Sequence, residues 1–249
     1  MRIVNQDLVA SEVSRIRAEY VQKDGSVAYR GQYAAFEPLQ LGYHFQQLQS
    51  LAQLLQERGR KDLSGIHILD FGCGSGRFLG DLLGLGAEPK LLCGVDLMPG
   101  RLAEATRKYP QIEFKQIDGK SLPFSDSSFD VVSQCVVFSS IALPELRRTM
   151  AQEMRRVLKP GGYIFWWDLG STVEEAGRQP LEPSALFPGW PVKRLRVSWL
   201  PKPSEGLAKR RWKYSLGWFV DLFAARPTHL AALIGPKPMP GGARTEKYN

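Results

Sequence analysis

The stretch Ile66-His67-Ile68-Leu69-Asp70-Phe71-Gly72-Cys73-Gly74-Ser75-Gly76-Arg77-Phe78 decides the fold. An apolar run closes on Asp70, three glycines follow at alternate positions, and a helical pattern opens at Arg77-Phe78-Leu79. That order reads as a buried strand, a tight turn and a helix start. Glycine takes backbone angles closed to other residues and lets main chain come close to a ligand. Free N–H groups at a helix start suit a polar or anionic group. The stretch is a candidate cradle for a nucleotide-type ligand. Its spacing is Gly72-x-Gly74-x-Gly76 rather than Gly-x-Gly-x-x-Gly, and no Gly-Lys-Ser/Thr follows, which excludes a P-loop.

Downstream of this stretch, strand and helix patterns alternate, which argues for a doubly wound α/β sheet covered by helices. The predicted strands are 66–71, 91–95 ending in Asp96, 112–117 followed by Asp118-Gly119, 129–135 and 163–167. Helices are predicted over about 76–84, 99–109 and 144–158, the last closed by Lys159-Pro160-Gly161-Gly162. After a Pro- and Gly-rich region at 170–192 with a short helix near 183–187, a strand is expected over 194–199 and a final one over 228–234. Between these two strands, 205–225 reads as a basic, aromatic helix with Leu216, Phe219 and Phe223 turned to the core and its basic turns to solvent. The competing reading is a membrane-surface helix.

Upstream, Leu8, Val9, Val13, Ile16 and Tyr20 recur at helical spacing, and Phe45, Leu48, Leu51, Leu54 and Leu55 do so over 42–58. Between them lies an aromatic segment, 25–36, without a clean period. The expected organisation is a helical cap over residues 1–60, one α/β domain over 61–236 and a loose tail over 237–249.

With 249 residues, 43% of them hydrophobic, the chain can bury a substantial core. No apolar run reaches the roughly 20 residues of a membrane span, and the start lacks an apolar signal core, so a cytoplasmic protein is expected. Cys73, Cys93 and Cys135 lie apart in or beside strand-like runs, which suits core thiols rather than disulfides or zinc, and no metal site is expected. The net charge is +8: residues 1–180 hold 21 Lys+Arg and 21 Asp+Glu, and residues 181–249 hold 12 and 4. Such an excess suits nucleic acid, an anionic membrane face, an acidic substrate or merely a solvated face; the last is preferred.

Four features gather at strand ends, where ligands sit in open α/β sheets. Asp96 stands 20 residues after Gly76 and suits the two hydroxyls of a ribose; the plain alternative is a helix cap. Asp118-Gly119 suits an adenine amino group and is equally a turn pair. Leu97 follows Asp96 as a further ligand contact. Gln134, ending the fourth strand, is a candidate lining residue.

Asp70-x-Gly72-x-Gly74-x-Gly76, Asp96, Asp118-Gly119, Phe129-Asp130-Val131-Val132 and Leu158-Lys159-Pro160-Gly161-Gly162 occur in order at separations that resemble the class I S-adenosylmethionine-dependent methyltransferases, over residues 65–170. The resemblance implies a Rossmann-like seven-stranded sheet with an antiparallel last strand. It also implies S-adenosylmethionine as cofactor and S-adenosylhomocysteine as product. Asp70, Gly72, Gly74, Gly76, Asp96, Leu97, Asp118, Gly119 and Gln134 would bind the cofactor, with Tyr29, Arg30 and Tyr33 closing over it and Arg30 near its carboxylate. Trp166-Trp167-Asp168, Leu186-Phe187-Pro188-Gly189, Leu200-Pro201 and Arg226-Pro227-Thr228-His229-Leu230 resemble a branch found in polysaccharide and natural-product pathways.

Where many relatives carry a histidine pair after the fourth strand, Val137-Phe138-Ser139-Ser140-Ile141 stands here. The resemblance implies that N-terminal helices cover the active site, which makes His44 the candidate base, against the alternative of a packed or surface helix histidine, and His229 reads as structural. The expected activity is O-methylation of a sugar or related small molecule, by a monomer or homodimer. An RNA methyltransferase and a non-catalytic scaffold are the alternatives; the first lacks an appended RNA-binding module, and the second conflicts with the intact glycine turn.

Overall fold

A computed structural model describes residues 6–27, 38–170, 181–197 and 229–238. Tyr29, Arg30 and Tyr33, the helix expected over 205–225 with Leu216, Phe219 and Phe223, and the tail from 239 lie outside the described residues.

Seven strands form one sheet: β1 (Ile68–Phe71), β2 (Leu92–Asp96), β3 (Glu113–Gln116), β4 (Phe129–Cys135), β5 (Leu158–Leu169), β6 (Val192–Val197) and β7 (His229–Ile234). Their order is β3-β2-β1-β4-β5-β7-β6. The pairs β1–β2, β1–β4, β2–β3 and β4–β5 are parallel, and β7 runs antiparallel between β5 and β6. Among the described residues, six α-helices accompany the sheet: α1 (Gln6–Gly25), α2 (Pro38–Gln56), α3 (Arg77–Leu83), α4 (Pro99–Lys108), α5 (Pro144–Val157) and α6 (Pro183–Leu186).

The central strands are apolar on both faces because both are covered. Successive residues enter opposite cores. Leu69, Val132, Ile164 and Trp166 pack with Val9, Val13 and Ile16 of α1 and with Leu146, Met150 and Met154 of α5. Ile68, Val131, Phe165 and Trp167 pack with Leu51, Leu54 and Leu55 of α2 and Phe78, Leu79 and Leu82 of α3. The Phe78 and Phe165 rings stack at 6.0 Å.

Three expectations are corrected. Leu8 is 53% exposed; Val9, Glu12, Val13 and Ile16 form the inward stripe of α1, which admits a carboxylate because it has partners. Phe45 is 63% exposed beside Leu41, because α2 begins at Pro38 and turns Tyr43, Leu48 and Leu51 inward instead. β5 begins at Leu158 rather than Tyr163: the Lys159-Pro160-Gly161-Gly162 run belongs to the strand, with its register against β4 broken between Phe129 and Val131.

Glu12 ties α1 to the rest of the domain. Its Oε1 accepts the N–H groups of Ala142 (2.5 Å) and Leu143 (3.3 Å) at the start of α5. Arg15 donates to both of its oxygens and, through Nη2, to the Ser140 carbonyl (2.8 Å). A carboxylate there also meets the positive end of the α5 dipole. The Arg15 guanidinium outweighs the opposing effect of burial and, with those N–H groups, holds the Glu12 pKa below its ordinary 4.5. The resulting stabilisation is present above that value and lost as pH falls through the lowered one. Glu12→Ala is expected to lower the unfolding free energy at pH 7 by about 2–3 kcal/mol, since two N–H groups lose their acceptor. Urea titration checks this, and the deficit should shrink toward pH 3.

Candidate functional site

The glycine loop leaves β1 and folds back on β2: the N–H groups of Gly72 (2.8 Å) and Cys73 (3.0 Å) both donate to the Val95 carbonyl. Gly72 has φ 76°, and a Cβ there would lie 2.4 Å from Cγ2 of Val137. Gly76 precedes α3 in the left-handed region at φ 78°, and a Cβ there would lie 2.8 Å from the Phe114 ring. These two glycines serve packing. Gly74 is the open one: the nearest atom to a Cβ there is Arg101 Nη1, at 3.9 Å.

Beside Gly74 stands Asp96, 8% exposed. Its Oδ2 accepts the Gly74 N–H and its Oδ1 the Met98 N–H, each at 2.8 Å. The carboxylate oxygens together accept about four hydrogen bonds, so acceptor capacity is left for a ribose hydroxyl. Burial raises the Asp96 pKa while the Met98 and Gly74 N–H groups, Arg101 and the Leu97 N–H oppose it. Asp70, 2% exposed, accepts only the Ser133 hydroxyl (2.8 Å). Burial, with the Asp96 charge adding, pushes its pKa up to about 7. Of this carboxyl pair, Asp96 is the better-solvated anion and Asp70 the group that holds a proton near neutrality.

The remaining sequence candidates scatter around this centre. Asp118 is exposed and accepts the Lys120 N–H (2.8 Å), the turn-forming use of an Asp-Gly pair. Gly119 is buried at φ 82°, with Val13 of α1 2.8 Å and Leu97 3.4 Å from a Cβ placed there. Gln134 is fully buried: Oε1 accepts the Val137 N–H (3.1 Å) and Nε2 donates to the Trp167 carbonyl (3.5 Å). It holds the loop after β4 rather than lining an open space. In that loop Val136 sits at φ 58°, a costly angle for a β-branched residue.

His44 packs away from this centre, on α2. Its ring meets Tyr43 edge-on and its Nδ1 is 3.9 Å from Asp81 Oδ2, next to Arg77. Burial, then the Arg77 charge, lowers its pKa to about 4. A neutral imidazole of that pKa is a weak proton acceptor. His229 stacks on Trp167 (5.6 Å) and faces Tyr43, whose hydroxyl accepts the Trp167 indole N–H (2.6 Å). Burial pushes the Cys93 thiol up to about 12 and raises Cys73 as well.

Sequence reading missed Glu12, Arg15 and Arg101. Arg101 bonds Asp24 through Nε (2.9 Å) and Nη2 (2.5 Å), lies 4.5 Å from the Tyr20 ring centre, and faces Gly74. Each acts across a gap of at least 77 residues, so helical spacing carried no signal for them. Among the described residues no three His, Cys, Asp or Glu side chains stand together as a metal site, and no helix is long and apolar enough to cross a membrane.

The family model described as a methyltransferase domain matches residues 69–166. A phthiotriol/phenolphthiotriol dimycocerosates methyltransferase of Mycobacterium ulcerans is 35% identical over 136 residues, 54% of this chain and 47% of its own length. A sterol 4-C-methyltransferase of Caenorhabditis elegans is 34% identical over 113 residues, 43% of this chain and 32% of its own. The chain thus spans about half the length, or less, of these curated relatives. Among solved structures, the N-methyltransferase NodS of Bradyrhizobium japonicum, in complex with S-adenosylhomocysteine, superposes with a TM-score of 0.61 at 15% identity, over 88% of this chain and 97% of its own. The [4+2]-cyclase SpnF does so at 0.57 and 21%, over 81% and 84%. These two likenesses concern the fold. The match from β1 through most of β5 takes in the glycine loop and Asp96, and over residues 69–166 the chain is similar to the methyltransferase domain family, on a fold shared with NodS.

Proposed function

We propose that the chain transfers the methyl group of S-adenosylmethionine to a small molecule, most simply to a hydroxyl. Residues 1–60 act as the cap and residues 61–236 as the catalytic domain. The observation that carries this is Asp96: a buried carboxylate fixed by the Gly74 and Met98 N–H groups, with acceptor capacity left beside Gly74. Those residues fit a ribose, and Leu97 beside Gly119 offers an apolar wall to a purine. When bound, the cofactor supplies an activated methyl on a good leaving group.

The chain's part is alignment. Asp96 and the Gly74 main chain orient the donor, Gln134 fixes the loop after β4, and α1 shields the edge. Holding nucleophile and electrophile in line supplies a large share of such a barrier reduction. His44, neutral and weakly basic, is given no proton to move. The relatives named for dimycocerosates and for a sterol support a small-molecule acceptor. They favour a lipid-like one over the sugar expected from sequence. The basic stretch that would serve RNA lies outside the described residues. SpnF is a cyclase on this fold, so the fold alone does not set the reaction.

Asp96→Ala leaves ribose hydroxyls unpaired and is expected to weaken S-adenosylhomocysteine binding roughly ten-fold or more, from about 1–3 kcal/mol for a lost buried partner. Titration calorimetry on both proteins checks it. Unchanged affinity, or binding of NAD in its place, would remove the assignment.

A further inference from the structure

α1 packs over the carboxyl end of the sheet and is fastened there at two points, its middle and its C-terminal end. At its middle, Glu12 and Arg15 hold residues 140–143. Near its end, the Asp24 carboxylate meets Arg101, the third residue of α4, on two nitrogens. The guanidinium also lies 4.5 Å from the Tyr20 ring centre, and the Tyr20 hydroxyl reaches Ser140 Oγ at 3.2 Å. Within the first fastening, Val13 rests against Gly119 with Leu97 beside it. Under the cofactor reading above, on which this inference rests, the ribose falls at Asp96 and the purine at Leu97 and Gly119. Both positions therefore lie beneath α1 or at its rim.

Arg101 joins the two sides of that arrangement. One edge of its guanidinium engages Asp24, while Nη1 points to Gly74 at 3.9 Å from a Cβ there, and its charge favours the ionised form of Asp96. Isolated surface ion pairs contribute little. This pair differs in being bidentate, stacked on an aromatic ring and only 22% and 39% exposed on its two sides.

We propose that Arg101 is a cofactor-retention residue: with Asp24 and Tyr20 it clasps α1 across the ribose–purine end of the site, so that the cofactor enters and leaves only when the clasp opens. The device places a positioning role on Asp24 and Tyr20, which act on the cofactor through Arg101. It also makes cofactor exchange sensitive to ionic strength, because the pair is partly exposed and mobile ions screen it.

The variant that tests this is Asp24→Asn, which keeps the shape of the side chain and removes its charge. The probe is S-adenosylhomocysteine, followed by stopped-flow tryptophan fluorescence. A clasp that gates both directions predicts that association and dissociation both quicken, by about five-fold, the upper end for a partly exposed ion pair. The affinity then changes less than either rate, and wild type in high salt approaches the variant. In the ligand-free protein, amide hydrogen exchange over residues 6–25 should also quicken. Unchanged rates and unchanged exchange overturn the clasp, as does a rise in dissociation alone, which marks a simple lost contact. In either case a protein that still binds S-adenosylhomocysteine leaves the cofactor reading standing. Failure of wild type to bind it removes that reading and, with it, the retention role.

Discussion

Asp70→Asn is expected to make the ligand-free protein more stable at pH 8 and to flatten the pH dependence of its stability. Asp70 is 2% exposed and, among the described residues, accepts the Ser133 hydroxyl alone, so its charged form is poorly solvated. Burial pushes its pKa from an ordinary 3.8 to about 7, with the Asp96 charge adding to the effect. The sign follows from proton binding. Between those two values the folded protein binds a proton that the unfolded chain has released, so stability falls as pH rises across this window. Below 3.8 both states are protonated and nothing is lost; above about 7 the whole penalty applies. The interval corresponds to an upper figure of roughly 4 kcal/mol. An asparagine accepts the Ser133 hydroxyl equally well and carries no charge, and its amide faces the Asp96 carboxylate. A gain of about 2–4 kcal/mol at pH 8 and little at pH 4 is the expected difference between the two proteins. Urea titrations across that range measure it, and a variant less stable at pH 8, or one that keeps the wild-type slope, would refute it. The same substitution should weaken cofactor binding, because a strained carboxylate at a ligand site commonly trades stability for function.

Gly72→Ala is expected to cost about 3 kcal/mol. Two effects combine. A residue other than glycine in the left-handed region loses roughly 1–2 kcal/mol, and Gly72 has φ 76°. The new Cβ would also lie 2.4 Å from Val137 Cγ2. Forcing a methyl into a filled space costs about 1–3 kcal/mol. Val137 is poorly placed to yield, because its N–H is held by Gln134 and its predecessor Val136 already sits at φ 58°. The two effects separate in a double mutant. Adding Val137→Ala should recover the clash and leave the backbone cost, so that the two substitutions couple by about 1–2 kcal/mol in the stabilising direction. Thermal unfolding of the four proteins of that cycle is the measurement. A cost below about 1 kcal/mol for Gly72→Ala, or zero coupling to Val137, would show that the loop yields where this packing says it holds.

That contact explains why a sequence reading of the glycine loop is correct in place and incomplete in reason. The spacing located the turn, and Gly72, Gly74 and Gly76 all adopt positive φ. It assigned all three to the ligand; the structure adds that Gly72 makes room for Val137 and Gly76 for Phe114, while among the described residues only Arg101 comes within 4 Å of a Cβ at Gly74. Gln134 shows the same division. Its place at the end of β4 was legible, but its amide is used within the protein, on Val137 and Trp167.

The sequence by itself determined the alternation of strands and helices, the turn after β1, and the carboxylate ending β2, because each is written in neighbouring residues: the period of apolar positions, the glycines, the proline at a helix start. The tertiary structure alone decided which charges are buried and what they hold. Glu12 reads locally as one more polar residue of an amphipathic helix, and it becomes the acceptor for N–H groups 130 and 131 residues away. Arg101 reads as solvated, and it meets Asp24 across 77 residues. Asp70 keeps its proton only because two helical layers exclude water from the strand that carries it and Asp96 stands on the next strand. Such states depend on desolvation and on partners distant in the chain, and local periodicity carries no record of either.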